Sequence, residues 1–99
     1  MEFFLKHLKE TLEAVNKLIE RNIFVVSTKR VRRCQNVKSS DRSKINFIWR
    51  SLQYLEKEGI LEKNGVVIPK QYAIKPREVL DVNRFIVRVE KGRSIAKNL

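Results

Sequence analysis

This 99-residue chain has one cysteine, one histidine, three glycines and two prolines, few of the residues from which reactive sites and phosphate loops are built. A lone Cys34 cannot close an internal disulfide, which agrees with a reducing compartment. Three scattered glycines furnish no glycine-rich phosphate loop. His7 has no second histidine, no nearby cysteine and no carboxylate at a ligand spacing, so it reads as a core-edge or surface imidazole. With no convergent carboxylate pair either, neither a nucleophile-base set nor a metal site can be assembled; no enzyme activity and no cofactor are expected. Long apolar runs are also missing. Stretches such as Ile23 to Val26 are far too short to cross a bilayer, and Met1 leads into no signal-peptide pattern, so a cytoplasmic protein without a membrane partner is expected.

Acidic residues are scarce as well: 11, against 22 lysines and arginines, for a net charge of +11. Hydrophobic residues at 42% suit one folded domain with a single core, and no repeat or linker divides residues 1–99. The excess charge is concentrated. Residues 28–50 carry Lys29, Arg30, Arg32, Arg33, Lys38, Arg42, Lys44 and Arg50 against Asp41 alone, so +7 of the +11 lies there. Such a cluster repels itself unless a polyanion neutralises it, and a phosphate backbone is the commonest polyanion a cytosolic protein meets.

Periodicity supplies the elements. Leu5, Leu8, Leu12, Val15 and Ile19 recur at three-four spacing, which predicts a helix over residues 1–21. "NIFVVS" is a short β-branched run, either a buried strand or an extended entry to the next helix. Ser27 or Thr28 can cap a basic helix "TKRVRRCQNV", and Ser40 or Asp41 can cap a third helix over 41–58. On that helix Ile45, Ile48, Leu52 and Leu55 form the apolar seam, with Trp49 at its edge as a core residue; Gly59 ends it. Ile60 to Lys63 reads as a strand, Asn64 and Gly65 as its turn, and "KQYAIK" as the returning strand. An apolar tip of Val66, Val67 and Ile68 is a candidate partner contact. Pro76 suits a first helical turn with Glu78 at its positive end, and Val79, Val82, Ile86 and Val89 repeat the seam over 77–91. "RFIVRV" also alternates as a strand would, so helix and strand both stay open there.

Helix, short extended piece, basic helix, turn, amphipathic helix closing in "YLEKEGILEKNG", hairpin and C-terminal helix: this order resembles the winged helix-turn-helix superfamily, most closely over residues 28–75. Among its members the chain resembles the small PadR-like and archaeal plasmid or virus regulators, and regulators of the PadR type look similar in using terminal helices to dimerise. The resemblance implies an α+β, mostly helical fold with a two-stranded wing, double-stranded DNA as partner, and residues 41–58 as the helix that reads the major groove. With about 100° per residue, the seam lies nearly opposite Ser43, Asn46, Phe47, Arg50 and Tyr54. Arginine can bond guanine and asparagine adenine, and an apolar ring can rest on a thymine methyl. Ser43, Asn46, Phe47 and Arg50 are therefore the candidate base contacts. Candidate phosphate contacts are Lys29, Arg30, Arg32, Arg33, Lys38, Arg42, Lys44 and Tyr54, with Lys63 and Lys70 on the wing. Other roles stay open: Phe47 or Tyr54 can pack on a terminal helix, and Arg50 can clamp Glu56.

A single reading helix covers few base pairs, so a homodimer is expected. Its seams would be the terminal helices, residues 1–21 with Leu5, Leu8, Leu12 and Val15, and residues 77–91 with Val79, Val82, Ile86 and Val89. A sequence-specific transcriptional regulator is the simplest function. The alternatives are a centromere-binding or architectural protein that spreads along DNA, and a winged-helix module that binds protein instead.

Overall fold

The computed structural model describes residues 2–67 and 70–98, with side chains described for residues 4–65 and 70–91. Its elements are α1 (Glu2–Glu20), β1 (Val25–Val26), α2 (Thr28–Cys34), α3 (Arg42–Lys57), β2 (Leu61–Val67), β3 (Lys70–Ile74) and α4 (Val82–Asn98). The class is α+β and mostly helical, with one antiparallel sheet ordered β1-β3-β2 among the described residues. None of the described helices is long and apolar enough to cross a membrane.

Side-chain oxygens set the starts of α2, α3 and α4. Ser27 Oγ accepts from the Arg30 amide, Asp41 Oδ1 from the Lys44 amide and Asp81 Oδ1 from the Arg84 amide, each satisfying a donor the helix leaves unpaired. Left-handed residues set three of the ends. Asn22 (φ 59°), Asn36 (φ 54°) and Gly59 (φ 83°) follow α1, α2 and α3. The next amide then folds back to a carbonyl five residues earlier: Ile23 to Leu18, Val37 to Arg32, Ile60 to Leu55, at 2.8, 3.0 and 3.0 Å. Each closure returns an apolar side chain, Ile23, Val37 or Ile60, to the core.

That core joins Leu8, Leu12 and Val15 of α1, Val31 of α2, and Ile48, Leu52 and Leu55 of α3. Val26, Leu61, Tyr72 and Ile74 of the sheet complete it, with Phe85 and Val89 of α4. The central strand β3 pairs Ala73 and Tyr72 with Val25 and Val26 on one side. On the other it pairs Ile74, Ala73 and Tyr72 with Leu61, Glu62 and Lys63.

Four expectations need correction. Asn64 and Gly65 do not turn the hairpin: β2 runs through them, with a register irregularity between Lys63 and Val67 where Gly65 takes φ 88°. Pro76 does not open the last helix, because Asp81 caps it and α4 begins only at Val82. Trp49 is not a core residue but 42% exposed. Finally, Leu8, Leu12 and Val15 lie fully inside the chain's own core, so they have no water-exposed area left for a partner to cover. Val79 is exposed but outside α4, whereas Val82 and Ile86 are half-buried and Val89 is buried; Leu5 is also half-buried. Side chains 66–69, including the apolar tip, lie outside the described residues.

A polar clamp ties the chain leading into α4 to α1. The Asn16 side chain donates from Nδ2 to the Leu80 carbonyl at 2.9 Å and accepts at Oδ1 from the Leu80 amide at 2.8 Å, replacing both bonds a strand neighbour would make. Asn16→Ala leaves two part-buried backbone groups unpaired and is expected to cost roughly 1–3 kcal/mol of stability. Urea unfolding with an unchanged m-value would measure it.

Candidate nucleic-acid interface

Which way α3 faces decides what it can present. Ile48, Leu52 and Leu55 point into the core together with Ser51, whose Oγ donates to the Phe47 carbonyl at 2.8 Å and so is buried without an unpaired hydroxyl. Next to them Phe47 is half-buried, its ring stacked on His7 with centroids 4.5 Å apart. Tyr54 is half-buried too and meets Phe4 edge-on at 5.8 Å. Both rings therefore belong to the α1–α3 contact. The buried face is wider on the α1 side than the aliphatic seam alone indicates, and the outward face is turned by about 60° from the one opposite that seam.

On this outward face stand Arg42, Ser43, Asn46, Trp49, Arg50 and Lys57, all exposed, with half-buried Gln53 among them. No acid stands among these residues: Glu56, half-buried, borders the stripe about 20° beyond Trp49 at the opposite end of the helix, and Glu58 is the cap that follows α3. Among the described residues the Arg50 guanidinium has no ion-pair partner. Arg50 therefore does not clamp Glu56. The side chain of Asn46 has no intramolecular hydrogen bond among the described residues either.

Beside the Ile45 flank of α3, a groove of about 310 Å³ is lined by Ser27, Thr28, Lys29, Arg32, Ile45 and Lys70. It brings two cations of α2 and one of β3 alongside the outward stripe. Arg32 is held there by a 3.0 Å bond from Nη1 to the Val37 carbonyl, which also braces the turn between α2 and α3. Lys70 Nζ lies 5.3 Å from the Tyr72 ring centroid. Lys38, Lys44 and Lys63 are exposed. Arg30 and Arg33, by contrast, turn toward the end of α1 and line a different groove.

The structure thus brings together Ser43, Asn46 and Arg50 of the candidate base contacts, and Lys29, Arg32, Arg42 and Lys70 of the candidate phosphate contacts. It separates Phe47, Tyr54, Arg30 and Arg33 from them. Trp49 was missed as a surface group; its position 100° from Ile48 and next to Arg50 was the available signal. No group of three potential metal-ligating side chains occurs among the described residues. No protein-family model matches the chain, nor does any curated protein or solved structure.

Proposed function

We propose that this chain binds double-stranded DNA as a winged helix-turn-helix protein, with α3 as its reading helix, and that it acts most simply as a transcriptional regulator. The observation that carries this reading is the outward stripe of α3: Arg42, Asn46, Trp49 and Arg50 exposed side by side, without an acid among them and without intramolecular ion pairs. An α-helix fits the major groove, where arginine bonds guanine O6 and N7 and asparagine bonds adenine N6 and N7. The topology supports the same reading. A short helix, a turn and a longer helix lead into a hairpin whose second strand pairs with β1, which sets Lys70 beside the N-terminal half of α3.

In this arrangement Ser43, Asn46 and Arg50 contact base edges, and Trp49 supplies the apolar surface for a thymine methyl or a sugar. Lys29, Arg32, Arg42 and Lys70 hold phosphates. A two-fold dimer setting two α3 helices about 34 Å apart remains part of the proposal. With the α1 seam buried, α4 is the element to carry it, since Val87 is 48% exposed there. Sedimentation equilibrium should give twice the chain's mass; a monomer at micromolar concentration removes the dimer and leaves the binding face unchanged.

Salt titration tests the binding itself. Log affinity should fall with log salt by about 0.9 per neutralised phosphate, and Lys29→Ala should lower that slope by about one on specific and random duplexes alike. The same stripe also admits a protein-docking reading, favoured by Trp49, since exposed tryptophans are enriched at binding hot spots. Absence of duplex binding even at low salt, where the phosphate contacts are strongest, would move the assignment to that reading.

A further inference from the structure

The groove that Arg30 and Arg33 line lies between the C-terminal end of α1 and α2. It has a volume of about 450 Å³, within the range of small-molecule sites. Its cations are Lys17 near the end of α1, Arg21 just after it, and Arg30 and Arg33 from α2, while half-buried Ile23 and Cys34 form its apolar floor; Leu18 also lines it but is only 2% exposed. No carboxylate lines it, and none of the four cations is ion-paired among the described residues. Four like charges around an apolar recess repel one another, and an anion placed among them removes that cost.

We infer that this groove binds a small organic anion: a carboxylate, phosphate or sulfonate headgroup held by the four cations, with an aromatic or aliphatic body against Ile23 and Cys34. A DNA backbone is the weaker match for two reasons. The Arg30 and Arg33 pair is centred about 100° around α2 from the Lys29 and Arg32 pair, and lines a groove that no residue of α3 enters. A polar, convex phosphodiester chain would also leave the apolar floor uncovered. The inference does not depend on DNA binding, and its test uses none except as a competitor.

Cys34 is the chain's one cysteine and lies in the groove, so its alkylation reports on occupancy. The full chain is treated with neutral iodoacetamide while 8-anilino-1-naphthalenesulfonate, an aromatic monoanion, is titrated in. Saturable protection of Cys34 at one site is expected. The double variant Lys17→Glu, Arg33→Glu should weaken it at least about tenfold, because two charge-assisted contacts become repulsive. Arg50→Ala should leave it unchanged. If the double variant loses its circular dichroism, Arg33→Ala is read instead, with a severalfold weakening expected. In an independent readout, the rate of iodoacetate relative to iodoacetamide cancels the thiol's own ionisation; this ratio should exceed that of free cysteine and fall in the charge-reversed protein. Protection that never saturates, or that survives charge reversal, overturns the proposal. So does equal protection of Cys34 by a duplex of random sequence, which would make the groove part of a nucleic-acid surface.

Discussion

Replacing Arg50 by alanine is expected to weaken binding to a selected duplex by roughly 1–3 kcal/mol, about 5- to 150-fold, and to relax sequence preference at one or two positions. The size follows from geometry. Arg50 is exposed on the third turn of α3, between Asn46 and Lys57, and without an acid to hold it. No intramolecular bond has to break before its guanidinium meets a base, so the full value of a bidentate contact goes into binding. For the same reason the substitution should leave folding nearly untouched, within about 0.5 kcal/mol, as is usual for a surface position. Competition between the selected duplex and random DNA separates the outcomes. Lost discrimination places Arg50 on base edges, whereas an equal loss on both duplexes would reduce it to a phosphate contact.

Leu52→Ala should act in the opposite sense, on the fold rather than on the contact. Leu52 is fully buried in the core that α3 shares with α1 and the sheet. Truncation removes its transfer free energy and leaves a cavity that the surrounding core fills only in part. The expected cost is about 2–5 kcal/mol. For a domain of this size that is a large share of total stability, and the thermal midpoint should fall by roughly 10–30 °C. Under conditions where the variant stays folded, its affinity for DNA should change little, because no atom of the outward face is altered. A variant of unchanged stability would show that α3 is not seated by this seam, and the orientation of its outer face would lose its support.

Much of the fold could be read from the chain, for local reasons. The helices α1 and α3 follow from three-four spacing, and Ser27 and Asp41 cap helices with their own side chains. What could not be read depends on partners distant in sequence. The aliphatic seam of α3 marks its core side, but the rotation of the helix also depends on His7 and Phe4, which draw Phe47 and Tyr54 toward α1. Ser51 looks polar in any pattern, yet it is buried because its hydroxyl finds the Phe47 carbonyl. Trp49 looks apolar, yet it faces out because Ile48 and Leu52 already occupy the core beside it. The start of α4 was hidden in the same way: Pro76 carries a strong local signal, but the clamp from Asn16 to Leu80 holds the preceding chain in a non-helical path. The cationic groove joins residues of α1 to residues of α2, and a reading taken one segment at a time does not bring them together.

Trp49, the chain's one tryptophan, stands on the face proposed to enter DNA, which makes its solvent access the most direct measurement of that claim. Acrylamide quenching is compared for the free protein and for protein saturated with duplex at low salt, with saturation followed by anisotropy of labelled DNA. Burial of the α3 face predicts strong quenching in the free chain and a severalfold smaller quenching constant in the complex. Quenching that stays the same at saturation would mean that DNA, if bound, sits elsewhere, and would contradict the assignment of α3 as the reading helix.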